Sequence, residues 1–242
     1  MKRTAYLLAG GSTSTRILSY IALVIALASL LMVVQIGYNT LYGPFFEIPG
    51  LQLAIGADGV AEIRESFKTG VDEMDQMVEA FEDLSSVTPE ERAEIEEELG
   101  MTLEEARDCY KQEFINETFG EDTDMTFDKL YEAMERASLH SVLTIMEEIP
   151  ELQGAEAFTI IKLVYQVLMG VFIFLVSLIL LSAVFLKRGL MIFEFILGAV
   201  VYLFCGGVVM TTILFVLLIA YCLVLSAANA EWKEYKRSLA ED

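Results

Sequence analysis

The chain is poor in the residues from which catalytic and metal sites are usually made. Its 242 residues include one histidine, one tryptophan, three cysteines and four prolines. Because His140 stands alone, a two-histidine metal site is excluded, and neither H-E-x-x-H nor C-x-x-C occurs. No serine lies in G-x-S-x-G, and neither G-x-x-x-x-G-K-[ST] nor G-x-G-x-x-G is present. The glycine-containing stretch AGGSTSTR, residues 9–16, lacks the lysine of a phosphate loop and reads as a flexible lead. No catalytic residue, cofactor or metal ligand is therefore expected, and the chain does not read as an enzyme. Positive charge is also scarce, with 16 basic against 36 acidic side chains and a net charge of −20, which disfavours nucleic acid as a partner.

What the chain does have is hydrophobic residues, 55% of the total, segregated from the acids. Residues 39–157 hold 31 of the 36 acids and 7 of the 16 bases, a net of −24, against +4 for the remainder. The flanking blocks read as membrane spans, since crossing hydrocarbon takes roughly 20 apolar residues. Residues 17–38 carry no charge, and 158–186 follow the acidic block. Residues 189–228 are about two spans long. Gly206 and Gly207 divide them into 189–205 and 208–228. The first run is longer than the apolar core of a signal peptide and lacks an A-x-A-like site, so an uncleaved anchor is expected.

Lysine and arginine set the orientation. Lys2, Arg3 and Arg16 precede the first span, Lys187 and Arg188 join the second to the third, and Lys233, Lys236 and Arg237 follow the fourth. Four spans put all three groups on one side. The lead 1–16 and tail 229–242 are then cytoplasmic, with 39–157 outside and the plasma membrane the expected location.

The acidic block has helical periodicity. Val60, Ile63, Phe67, Gly70, Met74, Met77, Phe81 and Leu84 alternate at three and four residues, which predicts a long helix after Pro49. Thr88-Pro89-Glu90-Glu91 is a helix start, Gly100 a stop, and Thr102 with Glu105 a capping box. Leu103, Ala106, Tyr110 and Phe114 form the inner face of that next helix. Phe127, Tyr131, Met134, Ser138, Val142, Ile145 and Ile149 predict one returning helix ended by Pro150. The expected fold class is all-α: a four-span transmembrane bundle with an extracytoplasmic helical bundle inserted between spans 1 and 2.

Several residues merit attention as sites. Asp122, Asp124 and Asp128 alternate like the start of a calcium loop, but Phe127 stands where that loop needs glycine and Ala133 where it needs glutamate. Weak cation binding by Glu121, Asp122, Asp124 and Asp128 stays open, beside a plain helix start capped by Thr126. Glu194 is the only acid within a span, so it is a functional candidate by default; pairing with Arg188, a subunit contact and an ion pathway are the alternatives. Cys109, beside Tyr110, is expected to be a packed thiol or an intermolecular contact. Pro150 and Gly154 suggest a hinge. Asn116-Glu117-Thr118 is a glycosylation acceptor by pattern only. Ala22 with Ala26, and Gly198 and Gly206, suit close helix packing.

These features point to a multi-pass membrane protein in the lipid bilayer. Its acidic ectodomain would act by protein–protein interaction, with a protein partner or as a homo-oligomer, making it an accessory subunit or scaffold. A ligand- or stress-sensing receptor is the alternative, followed by a small transporter or channel using Glu194. Solvated helix faces or adaptation to high external salt would produce the same charge.

Overall fold

A computed structural model describes residues 2–85, 88–121 and 123–241, excepting the side chains at 2, 81, 82, 84, 85, 150, 151, 240 and 241. These residues form helices α1 (Lys2–Ala5, continued by a π turn, Tyr6–Gly10), α2 (Thr13–Tyr42), α3 (Pro49–Ser85), α4 (Pro89–Leu99), α5 (Leu103–Phe119), α6 (Phe127–Arg136), α7 (Leu139–Glu148), α8 (Pro150–Gln153), α9 (Glu156–Phe185) and α10 (Arg188–Glu241). The chain divides into two compact units. One comprises Met1–Thr40, Ile48–Gly50 and Gln166–Asp242, the other Leu41–Glu47 and Leu51–Tyr165.

The first unit is a helical bundle with an apolar exterior. On α2 the large side chains Ile17, Tyr20, Val24, Leu27, Leu31 and Val34 are about half exposed or more. The opposite face is built largely of small or weakly polar residues: Ser19, Ala22, Ala26, Ser29 and Thr40 are buried, together with Val33 and Ile36. A water-soluble helix would reverse this arrangement. The Ser19, Ser29 and Thr40 hydroxyls donate within the helix, to the Thr15, Ile25 and Ile36 carbonyls. Helices α2, α9 and α10 are each long and apolar enough to cross a bilayer, which makes the chain an integral membrane protein.

Helix α10 is not one rod. At 54 residues it would be about 80 Å long if straight. Yet the Phe195 and Phe215 rings lie 5.5 Å apart, and Arg188 Nη1 donates to Ser226 Oγ at 2.7 Å. The chain turns back at Gly207, where φ is 72° and ψ is −179°. The helix therefore breaks at the second glycine of the pair.

The lead 1–16 is not loose. Leu7 is fully buried, and the Tyr6 ring stacks on Tyr235 at 4.5 Å. The Glu231 carboxylate accepts hydrogen bonds from Ser12 N at 2.7 Å, from the Ser12 and Thr15 hydroxyls, and from Tyr6 at 3.1 Å. A carboxylate on α10 thus supplies the anion that the N-terminus of α2 favours. Residues 229–241 are likewise helical.

The second unit packs α3, α5, α6 and α7 around Met74, Ile115, Phe119, Met125, Phe127 and Leu130. The α3 stripe falls inward: Val60 and Met74 are buried, and a Cβ at Gly70 would come within 2.4 Å of Met134 Cε. The Phe81 and Leu84 side chains lie outside the described set. Helix α3 is broken at Gly56 (φ 77°), which the periodicity does not reveal. The Thr88 and Thr102 capping boxes both form, and Gly100 adopts the left-handed conformation (φ 68°).

Two expectations fail in this unit. Tyr110 is 46% exposed, while Ile115 and Phe119 are buried instead. The return helix is two helices: Ala137 is left-handed (φ 43°), and Ser138 forms a capping box with Ser141 that starts α7. The Phe45 N–H donates to the Ala137 carbonyl at 2.9 Å, fixing the corner.

Gly207→Ala tests the α10 turn. The native backbone there is in a region open essentially to glycine, and a Cβ would stand 3.2 Å from Pro49 Cγ. The variant is expected to lose about 1–3 kcal/mol in a detergent unfolding titration. Native stability in Gly207→Ala would contradict the hairpin.

Candidate functional site

Glu194 was the strongest single candidate in the sequence. It is 3% exposed, on the first limb of α10. It does not pair with Arg188, whose guanidinium is engaged with Ser226. Instead, Tyr202, two turns along the same helix, donates its phenolic hydrogen to Glu194 Oε1. Helical side chains lean toward the N-terminus, so the Tyr202 ring passes over Gly198 to reach the carboxylate. A Cβ at Gly198 would lie 2.6 Å from two ring carbons. Glycine is required there by the ring of its own helix rather than by a neighbouring helix. Gly206, by contrast, does admit Ile36, at 3.1 Å from a built Cβ. The set Glu194, Gly198 and Tyr202, spaced by four residues, is legible as a pattern but was not recognised from sequence.

A second buried phenol links two helices. Tyr221 on α10 donates to the Ser182 carbonyl of α9 at 2.9 Å, and Ser182 Oγ lies 3.1 Å from the Tyr221 hydroxyl. Both residues are fully buried. No buried side-chain polar atom lacks a partner among the described residues.

The remaining candidates separate. Asp122 lies outside the described residues. Thr126 caps α6 by accepting from Lys129 N at 3.3 Å, and Lys129 Nζ donates to the Asp124 carbonyl at 2.8 Å. The described residues contain no group of three acidic, histidine or cysteine side chains that could hold a metal. Cys109 is exposed rather than packed, because it follows Tyr110 to the outer face of α5. His140 is exposed and lies between two tyrosines, 5.0 Å from Tyr42 and 5.8 Å from Tyr165. The Pro150–Gly154 joint is a helical turn, and Gly154 has an ordinary right-handed backbone. It is braced where Gln153 Nε2 donates to the Glu147 carbonyl at 2.7 Å and Lys162 Nζ meets Glu147 Oε1 at 3.0 Å.

The α4–α5 hairpin is the feature that sequence reasoning underrated. Helix α4 buries none of its residues. An isolated 11-residue helix is marginal in water. Its ties to α5 are polar: Arg92 donates to Glu96 and, with one nitrogen, to both oxygens of Glu104, all at 2.9 Å. Leu99 and Met101 flank the turn glycine and are 47% and 40% exposed. Glu94, Glu97, Glu98, Glu104 and Glu105 surround them in sequence.

No protein-family model matches the chain, and neither a curated protein nor a solved structure does.

Tyr202→Phe leaves a buried carboxylate without its donor and should destabilise the protein by about 1–3 kcal/mol. Gly198→Ala should act through the same bond, so the double variant should lose less than the sum of the singles. Additive losses in detergent unfolding would contradict the shared bond. Separately, hydrogen bonds from Arg92 hold the Glu96 and Glu104 carboxyls below their ordinary value of 4.5. Their contribution is complete above 4.5 and is lost as pH falls through the lower folded values. Acid titration should therefore weaken the α4–α5 hairpin in wild type more than in Arg92→Gln, read by hydrogen exchange of the α4 amides.

Proposed function

We propose that this is a four-span membrane protein with both termini cytoplasmic, whose acidic helical segment binds a protein partner, making it an accessory subunit or scaffold of a membrane complex. The observation that carries the reading is α4: a helix that buries nothing of its own, joined through exposed Leu99 and Met101 to α5. The partner would present a small apolar patch ringed by lysine or arginine. A second copy of this chain is the poorer fit, because two acidic segments of net charge −24 repel one another. The positive-inside distribution supports the orientation, and the fold-back at Gly207 supports two spans within α10.

The alternatives have less support. A receptor that relays through Pro150–Gly154 must move a joint that Lys162 and Gln153 brace. A transporter built on Glu194 must free a carboxylate already engaged by Tyr202.

The test is purification of the tagged full chain from its native membrane in mild detergent, beside the Leu99→Ser/Met101→Ser variant. A stoichiometric partner is expected with wild type. Its recovery should fall as salt rises, and the variant should weaken binding by about tenfold or more, as for truncated interface anchors. Both positions are exposed, so the variant should unfold at the wild-type temperature. A wild-type protein isolated alone, or a partner held equally by the variant, would overturn the proposal.

A further inference from the structure

A cleft of about 390 Å³ opens at one end of the first unit, where α1 meets α10. Four cationic side chains line it: Arg3, Arg188, Lys233 and Lys236. The other lining groups are Ser226, Asn229 and the Trp232 indole, so no carboxylate faces it among the described residues. The two arginines are positioned by neutral acceptors. Arg3 donates to Asn229 Oδ1 at 2.6 and 2.9 Å and to the Leu186 carbonyl at 2.9 Å, while Arg188 donates to Ser226 Oγ. None of the four cations forms an ion pair among the described residues. The adjacent acid, Glu231, is held by Ser12, Thr15 and Tyr6.

The geometry points to a binding site for the phosphate of an anionic phospholipid headgroup. The Arg188 guanidinium, with one nitrogen on Ser226, can fork onto phosphate oxygens, Arg3 adds its fixed charge, and two exposed lysines can close over them. Like charges held together without a counter-ion repel, so an anion relieves a strain already built into the cleft. The apolar surroundings favour a lipid over a free anion. Leu223, one turn before Ser226, is 67% exposed and offers a surface to an acyl chain. Trp232 is the residue type that anchors at the headgroup level. By the positive-inside rule this end faces the cytoplasmic leaflet, where anionic lipids concentrate. The inference rests on the bilayer embedding and is independent of the partner proposed for the acidic unit.

The test uses the full chain in micelles containing equal amounts of phosphatidylglycerol and phosphatidylcholine, with retained lipid read by native mass spectrometry. Phosphatidylglycerol should be retained over phosphatidylcholine by about tenfold or more. Lys233→Gln/Lys236→Gln, at two exposed positions, should reduce that preference by about tenfold with an unchanged unfolding temperature. Millimolar inorganic phosphate should leave the lipid in place. Equal retention of the two lipids, an unaltered preference in the lysine variant, or displacement by inorganic phosphate would each overturn the assignment, the last by giving the cleft to a free anion.

Discussion

A helix surrounded by hydrocarbon gains nothing by hiding leucine from it. That constraint explains the first unit. Without a hydrophobic drive between spans, helices associate through close packing and shared hydrogen bonds. The buried stripe of α2 is accordingly rich in small residues, Ser19, Ala22, Ala26 and Ser29 beside Val33 and Ile36, while Val24, Leu27, Leu31 and Val34 face outward. Where a neighbouring side chain must lie against a helix, glycine appears: a Cβ at Gly37 would lie 3.0 Å from the Phe172 ring. Where a polar group is buried, its partner comes from the same helix or from a neighbour, as with Thr40 and its own turn or Tyr221 and Ser182. The second unit obeys the opposite rule. Met74, Ile115, Phe119, Met125, Phe127 and Leu130 point inward, and most of its carboxylates point to water.

Glu194 shows how the same constraint disciplines an ionisable group. An unpaired carboxylate in hydrocarbon is expensive, and a default reading gives it a function. Here a phenol two turns away satisfies it, and the glycine between them makes room for the ring. Three residues are thus fixed by one bond. The arrangement uses no second helix, so it holds Glu194 in place whatever the neighbouring spans do.

The sequence was most informative where a local rule acts alone. The break at Gly207, the helix start at Thr88, the capping box at Thr102 and the cap at Thr126 all depend on residues a few positions apart. It was less informative where two rules competed. Helical periodicity ran unbroken from Phe127 to Ile149, but Ser138 and Ser141 could also cap a new helix, and Phe45 from a distant segment favoured that choice by bonding the Ala137 carbonyl. Tyr110 and Cys109 were misplaced because periodicity cannot say where a short helix stops touching its core. The basic cleft was invisible because its cations lie in three separate stretches. Arg3 belongs to a lead that looks unstructured until Tyr6 and Leu7 are seen packed.

The distribution of carboxylates gives that cleft its meaning. Outside residues 39–157 the chain has only five acids. One is Glu194, sealed against Tyr202, and another is Glu231. The latter sits one residue from Trp232 and two from Lys233, close enough in sequence to have neutralised the cluster. It is turned instead to the hydroxyls of Ser12 and Thr15 at the start of α2, where a helix dipole and four neutral donors, the Ser12 N–H and Tyr6 among them, stabilise it. Holding the N-terminal segment and leaving the four cations without an ion pair among the described residues are two results of one contact. Neutralising Glu231 would therefore loosen the lead that carries Arg3, and the cleft would lose one of its four charges by displacement rather than by pairing.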